Sequence, residues 1–154
     1  VRIAASSVAT MPLALANRND PLELTAVRDA TDAAFSQAGI NRDQIDLFEP
    51  HDAYTIMTAL SLEASGYASP GRGWELADAA RTGLSGDLPI TTFGGLKARG
   101  HPVGATGVYQ IAEAVLQLRG DAGANQVADA EFALTQNVGG TASTVINHIL
   151  QRVA

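Results

Sequence analysis

The sequence predicts an α/β fold in which helices cover a mixed sheet. Short strand-like runs alternate with amphipathic helical stretches along the chain. The last two strand-like runs, 131–136 and 141–150, lie close enough to close as an antiparallel pair. At 154 residues and 46% hydrophobic content, the chain can bury the core of one domain spanning 1–154.

Residues 1–8 read as the first strand. The turn-like NRND then leads to a well-marked helix start: Asp20 as N-cap, Pro21 at the first helical position and Glu23 closing a capping box. Leu24, Val27, Thr31, Ala34, Phe35 and Ala38 share one face, and Gly39 stops the helix. Residues 45–48 form a short buried strand. Asp52 is placed to cap a second helix, with Ala53, Ile56, Met57, Leu60 and Ala64 inward and its end at Gly66. Residues 67–73 read as a loop, 74–81 as a short helix and 88–92 as another strand. The helix after the following glycine loop is expected to bury Val108, Ile111, Ala112, Val115 and Leu116. Asn137-Val138-Gly139-Gly140 has the chemistry of a hairpin turn joining the last two strands.

Composition narrows the function. A net charge of -6 argues against a nucleic-acid or anionic-membrane surface. The absence of cysteine excludes a disulfide, and also a thiolate nucleophile supplied by these residues. No apolar run is long enough to span a membrane and no lipidation motif stands out, so the expected location is cytoplasmic. The opening VRIAASS reads directly as strand, and the chain is expected to be a domain of something longer. No spacing of His, Asp and Glu suggests a metal site, and no phosphate loop or dinucleotide fingerprint occurs.

The stretch GGLKARGHPVGATG, residues 94–107, sets His101 between glycine and proline in a loop of small residues that runs into a helix. Gly94, Gly95 and Gly100 permit close approach of the backbone. A histidine held there is placed for proton transfer near neutral pH. His51 follows the strand 45–48 and His101 follows the strand 88–92, so both sit beyond carboxyl ends of strands, where α/β sheets carry their sites.

This stretch resembles the histidine motif of the thiolase superfamily, whose members make or cleave 3-ketoacyl-CoA. EPHDAY, residues 49–54, resembles the HDxF-type element of sterol-carrier-protein-like thiolases and archaeal-type acetyl-CoA acetyltransferases. QNVGGTAS, residues 136–143, resembles the superfamily's last glycine-rich turn. The resemblance is to the C-terminal half of such an enzyme. It implies a thiolase-like layered fold, a CoA thioester as substrate and no covalently bound cofactor. It also implies an N-terminal half carrying a nucleophilic cysteine, an OB-fold accessory protein as partner, and a homo-oligomer in the full-length enzyme.

By that resemblance His101 activates the nucleophile and helps bind the thioester oxygen. His51 stands beside the catalytic water and oxyanion hole, Gly139 donates its backbone N–H there, and Asn137 orients water. Tyr54 borders the pocket and Gly95 lies along the substrate. The pattern departs at Ala53, where sterol-carrier-protein-like thiolases carry cysteine, and at Asn137, near which other thiolases do. His51 is the substitute for that second acid/base. A thiolase-fold aldolase acting on CoA-linked side chains, and a non-catalytic acyl-CoA-binding scaffold, remain as alternatives. Lys97 and Arg99 read as a solvated loop, and His148 as a strand residue without a partner.

Overall fold

The computed structural model describes residues 1–153. Strand β1 (Arg2–Thr10) is followed by helix α1 (Thr25–Ala38), the short strand β2 (Leu47–Glu49) and helix α2 (Thr55–Ala64). The single turn α3 (Ala79–Thr82), the short α4 (Gly95–Arg99) and the long α5 (Thr106–Arg119) lead to β3 (Phe132–Gly139) and β4 (Thr144–Gln151). The sheet order is β1-β4-β3-β2, with β2 parallel to β3 and both other pairings antiparallel. This is the expected mixed α/β sheet.

Strand alternation sorts the core onto two faces. Leu134 and Val138 of β3 and Val145 and Ile149 of β4 pack with Val27, Ala30, Ala34 and Phe35 of α1 and Leu60 and Leu62 of α2. Ala133 and Leu150 turn the other way, and join Leu47, Ala114 and Leu118 under α5. Helices therefore cover both faces. On the α1 side, Gln136, Thr31, Ser65 and Asn147 form a small buried polar knot, with Gln136 Nε2 donating to Ser65 Oγ at 3.1 Å.

Several elements differ in detail from the sequence expectation. Helix α1 starts at Thr25, with Leu24 at the N-cap and no side-chain cap. Asp20 instead accepts from Leu22 N at 2.8 Å, closing a turn before the helix, while Glu23 pairs with Arg28. Gly39 does end the helix, at φ 69°. Helix α2 begins after Tyr54 and ends at Ala64, burying Leu60, Ser61 and Leu62 and leaving Ile56 outside. The expected helix 74–81 divides into a 3-10 turn, Gly73–Leu76, and α3, because the Asp78 side chain caps Ala80 N and starts a new turn. The expected strand 88–92 makes one parallel bridge, Ile90 to Phe48.

The closing hairpin is longer than expected. Asn137, Val138 and Gly139 continue β3, and the chain reverses at 140–143, where Gly140 and Ala142 have φ of 61° and 63°. Burial decides this: Val138 pairs with Val145 in the core, and a turn at Val138 would expose it.

Helix α5 is the largest correction. It turns Thr106, Gln110, Glu113, Ala114, Gln117 and Leu118 inward, and leaves Val108, Ala112 and Leu116 exposed. Ile111 and Val115 are half-buried. Main chain and charge partner the inward polar side chains in part, leaving Gln110 Oε1 and Glu113 Oε2 buried without a hydrogen bond. Gln110 Nε2 donates to the carbonyls of Glu49 and Gln136, Gln117 serves Asn125 and Val127, and Glu113 pairs with Arg99.

Candidate histidine site at the strand ends

Two loops bring the histidines together. The first leaves β2 at Glu49 and carries Pro50 and His51; the second runs from Ile90 through α4 to Gly100, His101 and Pro102. The rings of His51 and His101 meet edge to face, with centroids 5.0 Å apart and planes at 81°. His51 is buried and His101 is exposed. One imidazole is thus walled in, and the other presents itself at the surface.

His101 is held from behind. Its Nδ1 lies 2.7 Å from the buried hydroxyl of Thr106, which has the Pro102 carbonyl as acceptor at 3.4 Å. With Nδ1–H donating to that hydroxyl, Nε2 is the free basic nitrogen. His51 has a different environment. Burial, and then the proximity of His101, push its proton affinity below the ordinary histidine value. The Asn137 amide approaches without good hydrogen-bond geometry and, with the charge of Asp52, offsets this in part. Among the described residues His51 Nδ1 is buried without a hydrogen-bond partner. A neutral imidazole of this kind offers one donor and one lone pair.

Asn137 reaches this site from β3 and Gly139 stands two residues further along the same strand face. Gly107 makes room for Asn137: a β-carbon there would lie 2.7 Å from Asn137 Nδ2. Gly139 has no positive φ, so its conformation is open to any residue, and Gly140 carries the turn instead. Tyr54 is 73% exposed at the start of α2. Gly95, at φ 63°, faces the Asp52 carboxylate, which a β-carbon would approach to 2.1 Å. Asp52 does not cap α2; its Oδ1 accepts from Leu96 N at 2.9 Å. Arg99 is not solvated as expected, since it pairs with Glu113 at 2.8 Å with both side chains largely buried. Lys97 is exposed, and His148 lies half-buried on β4, where burial lowers its proton affinity.

The sequence matches the family model described as thiolase C-terminal domain-like over residues 7–152. The chain belongs to the thiolase C-terminal domain-like family. It is 43% identical over 152 residues to an acetyl-CoA acetyltransferase of Methanothermobacter thermautotrophicus, covering 99% of this chain and 40% of that protein. It is 38% identical over 112 residues to sterol carrier protein 2 of Homo sapiens, covering 73% of this chain and 20% of that one. The fold superposes on the Ltp2-ChsH2(DUF35) aldolase with a TM-score of 0.85 at 23% identity, over 97% of this chain and 39% of that one. This thiolase-type domain therefore spans well under half the length of these relatives.

Two further residues stand at this candidate site beyond the expected ones. Thr106 lies inside the GATG string, where a hydroxyl on the first turn of a helix is well placed to meet a preceding histidine. Glu49 closes the strand-like run IDLF and is 1% exposed. A carboxylate ending a buried strand was the available signal. Among the described residues no helix is long and apolar enough to cross a membrane, and no group of three or more His, Cys, Asp and Glu could hold a metal.

Proposed function

We propose that this chain is the C-terminal catalytic half of a thiolase-type acyl-CoA acyltransferase that cleaves 3-ketoacyl-CoA or condenses acetyl-CoA. The observation that carries the reading is the contact of His51 and His101, 5.0 Å apart, in a chain 43% identical to an acetyl-CoA acetyltransferase across nearly its whole length.

In the cleavage direction, His101 Nε2 takes the proton from a cysteine thiol supplied by the N-terminal half. The thiolate attacks the 3-keto carbon, and the charge that develops on its oxygen is met by His51 and the Gly139 N–H. The bond between C2 and C3 then breaks, leaving its electron pair on C2 of acetyl-CoA. The proton that His101 took from the thiol passes to C2 through His51 and a water held by Asn137, which leaves both imidazoles neutral. His101 then takes the proton of the incoming CoA thiol, whose thiolate displaces the acyl group, and returns that proton to the cysteine thiolate that leaves. Tyr54 borders the entrance, and Gly95 acts indirectly by admitting Asp52. The exposed Val108, Ala112 and Leu116 face of α5 is where the N-terminal half packs. The resemblance adds an OB-fold accessory protein and a homo-oligomer to the assembly, and the substrate is a CoA thioester with no covalent cofactor.

The test joins the chain to its N-terminal half and follows CoA-dependent cleavage of acetoacetyl-CoA. His101→Ala should lower kcat at least ~100-fold. Cleavage that survives His101→Ala removes its role. A folded, complete protein without cleavage refutes acyl transfer. Ala53 and the lack of any cysteine in this chain favour a second reading in that event, a retro-aldol cleavage of a CoA-linked side chain by proton transfer.

A further inference from the structure

We infer that Glu49 is a positioning residue: its buried carboxylate latches the loop that leads to His101 onto the end of the strand that leads to His51, and so sets the spacing of the two histidines. Its kinetic consequence rests on the acyl-transfer reading; its structural consequence does not.

Glu49 is the last residue of β2 and shares the α5 face with Leu47. One oxygen, Oε1, accepts from both Thr92 N at 2.9 Å and Thr92 Oγ1 at 2.7 Å. Its main-chain carbonyl accepts from Gln110 Nε2 at 3.1 Å, and the same amide bonds the Gln136 carbonyl at 2.9 Å. Glu49 therefore joins the second histidine loop directly, and α5 and β3 through Gln110.

Asp52 makes a second tie. It accepts from Leu96 N at 2.9 Å, and Gly95 is shaped to admit it. His51 thus sits between two carboxylates that both reach across to the segment before His101, at Thr92 and at Leu96. Backbone strain marks the same place. Thr91 has φ 45°, a left-handed conformation that a β-branched residue adopts only where its surroundings impose it. Thr91 N donates to the Phe48 carbonyl at 3.2 Å, and the next residue is pinned twice by Glu49.

A buried carboxylate is a costly tie where a neutral amide would serve. Burial raises the Glu49 proton affinity, to about 7, and Glu113 adds to this, while the two Thr92 bonds and Arg99 act against it. Protonated or ionised, the group can still accept from Thr92, but the bond strengthens with charge.

The experiment uses the protein with its N-terminal half in place. Glu49→Ala should lower kcat by about 100-fold, with KM changed much less, and Glu49→Gln should recover most of that loss because its amide oxygen can still accept. Thr92→Val should cost less than Glu49→Ala and add nothing to it. By NMR the Thr92 amide proton should shift and exchange faster in Glu49→Ala, and much less so in Glu49→Gln. A folded Glu49→Ala protein with native kcat, or with a Thr92 amide unchanged in shift and exchange, overturns the inference. If Glu49→Ala does not fold, Glu49→Gln and Thr92→Val carry the test. If the native protein cleaves no acetoacetyl-CoA, the acyl-transfer reading fails and the Thr92 amide still decides the latch.

Discussion

Gly107 on α5 presses against the side chain of Asn137 on β3, so closely that a β-carbon would come within 3.0 Å of Cγ as well as 2.7 Å of Nδ2. A glycine in the first turns of a helix is a cost of roughly 1 kcal/mol relative to alanine. It leaves the Asn137 side chain its space beside His51.

Gly107→Ala therefore separates stability from activity. The gain in helix propensity offsets the clash, so Tm should move little. Displacing Asn137 should cost about tenfold or more in kcat of the complete enzyme. Adding Asn137→Ala should raise Tm above that of either single variant. A Gly107→Ala protein with native kcat sinks the idea that this contact places Asn137.

Glu49 gives the protein a pH dependence whose sign is set by burial. Its carboxyl holds its proton up to about 7, against 4.5 in the unfolded chain. Folded protein binds the proton more tightly, so the stability that Glu49 contributes is fully present below about pH 4.5 and is lost as pH rises through 7, by up to about 3 kcal/mol. His51 acts in the opposite sense: its lowered affinity makes its contribution disappear as pH falls below about 6.5. Comparing Glu49→Gln with the native protein isolates the glutamate. The Tm difference should shift in favour of Glu49→Gln between about pH 5 and 8, and a constant difference would show that Glu49 titrates as an exposed carboxylate does.

Thr91, at φ 45°, is a β-branched residue in a conformation that asparagine tolerates far better. Thr91→Asn should stabilise by about 1 kcal/mol, which for a domain of this size raises Tm by about 3 °C. A fall in Tm would mean that the threonine side chain contributes contacts worth more than the strain.

Arg99 and Glu113 form a largely buried ion pair at 2.8 Å, and Arg99 also lies over the Tyr109 ring at 5.5 Å. Arg99→Ala should cost about 3 kcal/mol near pH 8, because it leaves the Glu113 carboxylate buried without its cation. Burial already raises the Glu113 proton affinity, so the loss should be smaller at about pH 5 than at about pH 8. Chemical denaturation at both values checks this. An equal loss at both would place the cost in the Tyr109 contact instead.

Local chemistry made much of this domain legible. Gly39 ends α1 because the left-handed C-cap suits glycine, and Leu134, Val138, Val145 and Ile149 face α1 because strands alternate. The glycine loop around His101, and His51 just beyond the end of β2, followed from residue types and spacing alone, whereas the strand expected before His101 is a single bridge at Ile90. Periodicity misjudged α5 because it assumes that apolar side chains turn inward. Gln110, Glu113 and Gln117 are inside because each finds a main-chain or charged partner there.

By itself the sequence determined the alternation of strands and helices, the family and the loops that carry His51 and His101. Only the tertiary structure decided that those rings touch, that Asp52 serves Leu96 rather than the start of α2, and that Glu49 holds Thr92. Helix and strand patterns are set by neighbours along the chain, whereas each of these contacts joins segments distant in sequence. Their geometry exists only once the sheet has brought β2, β3 and the glycine loop to one end.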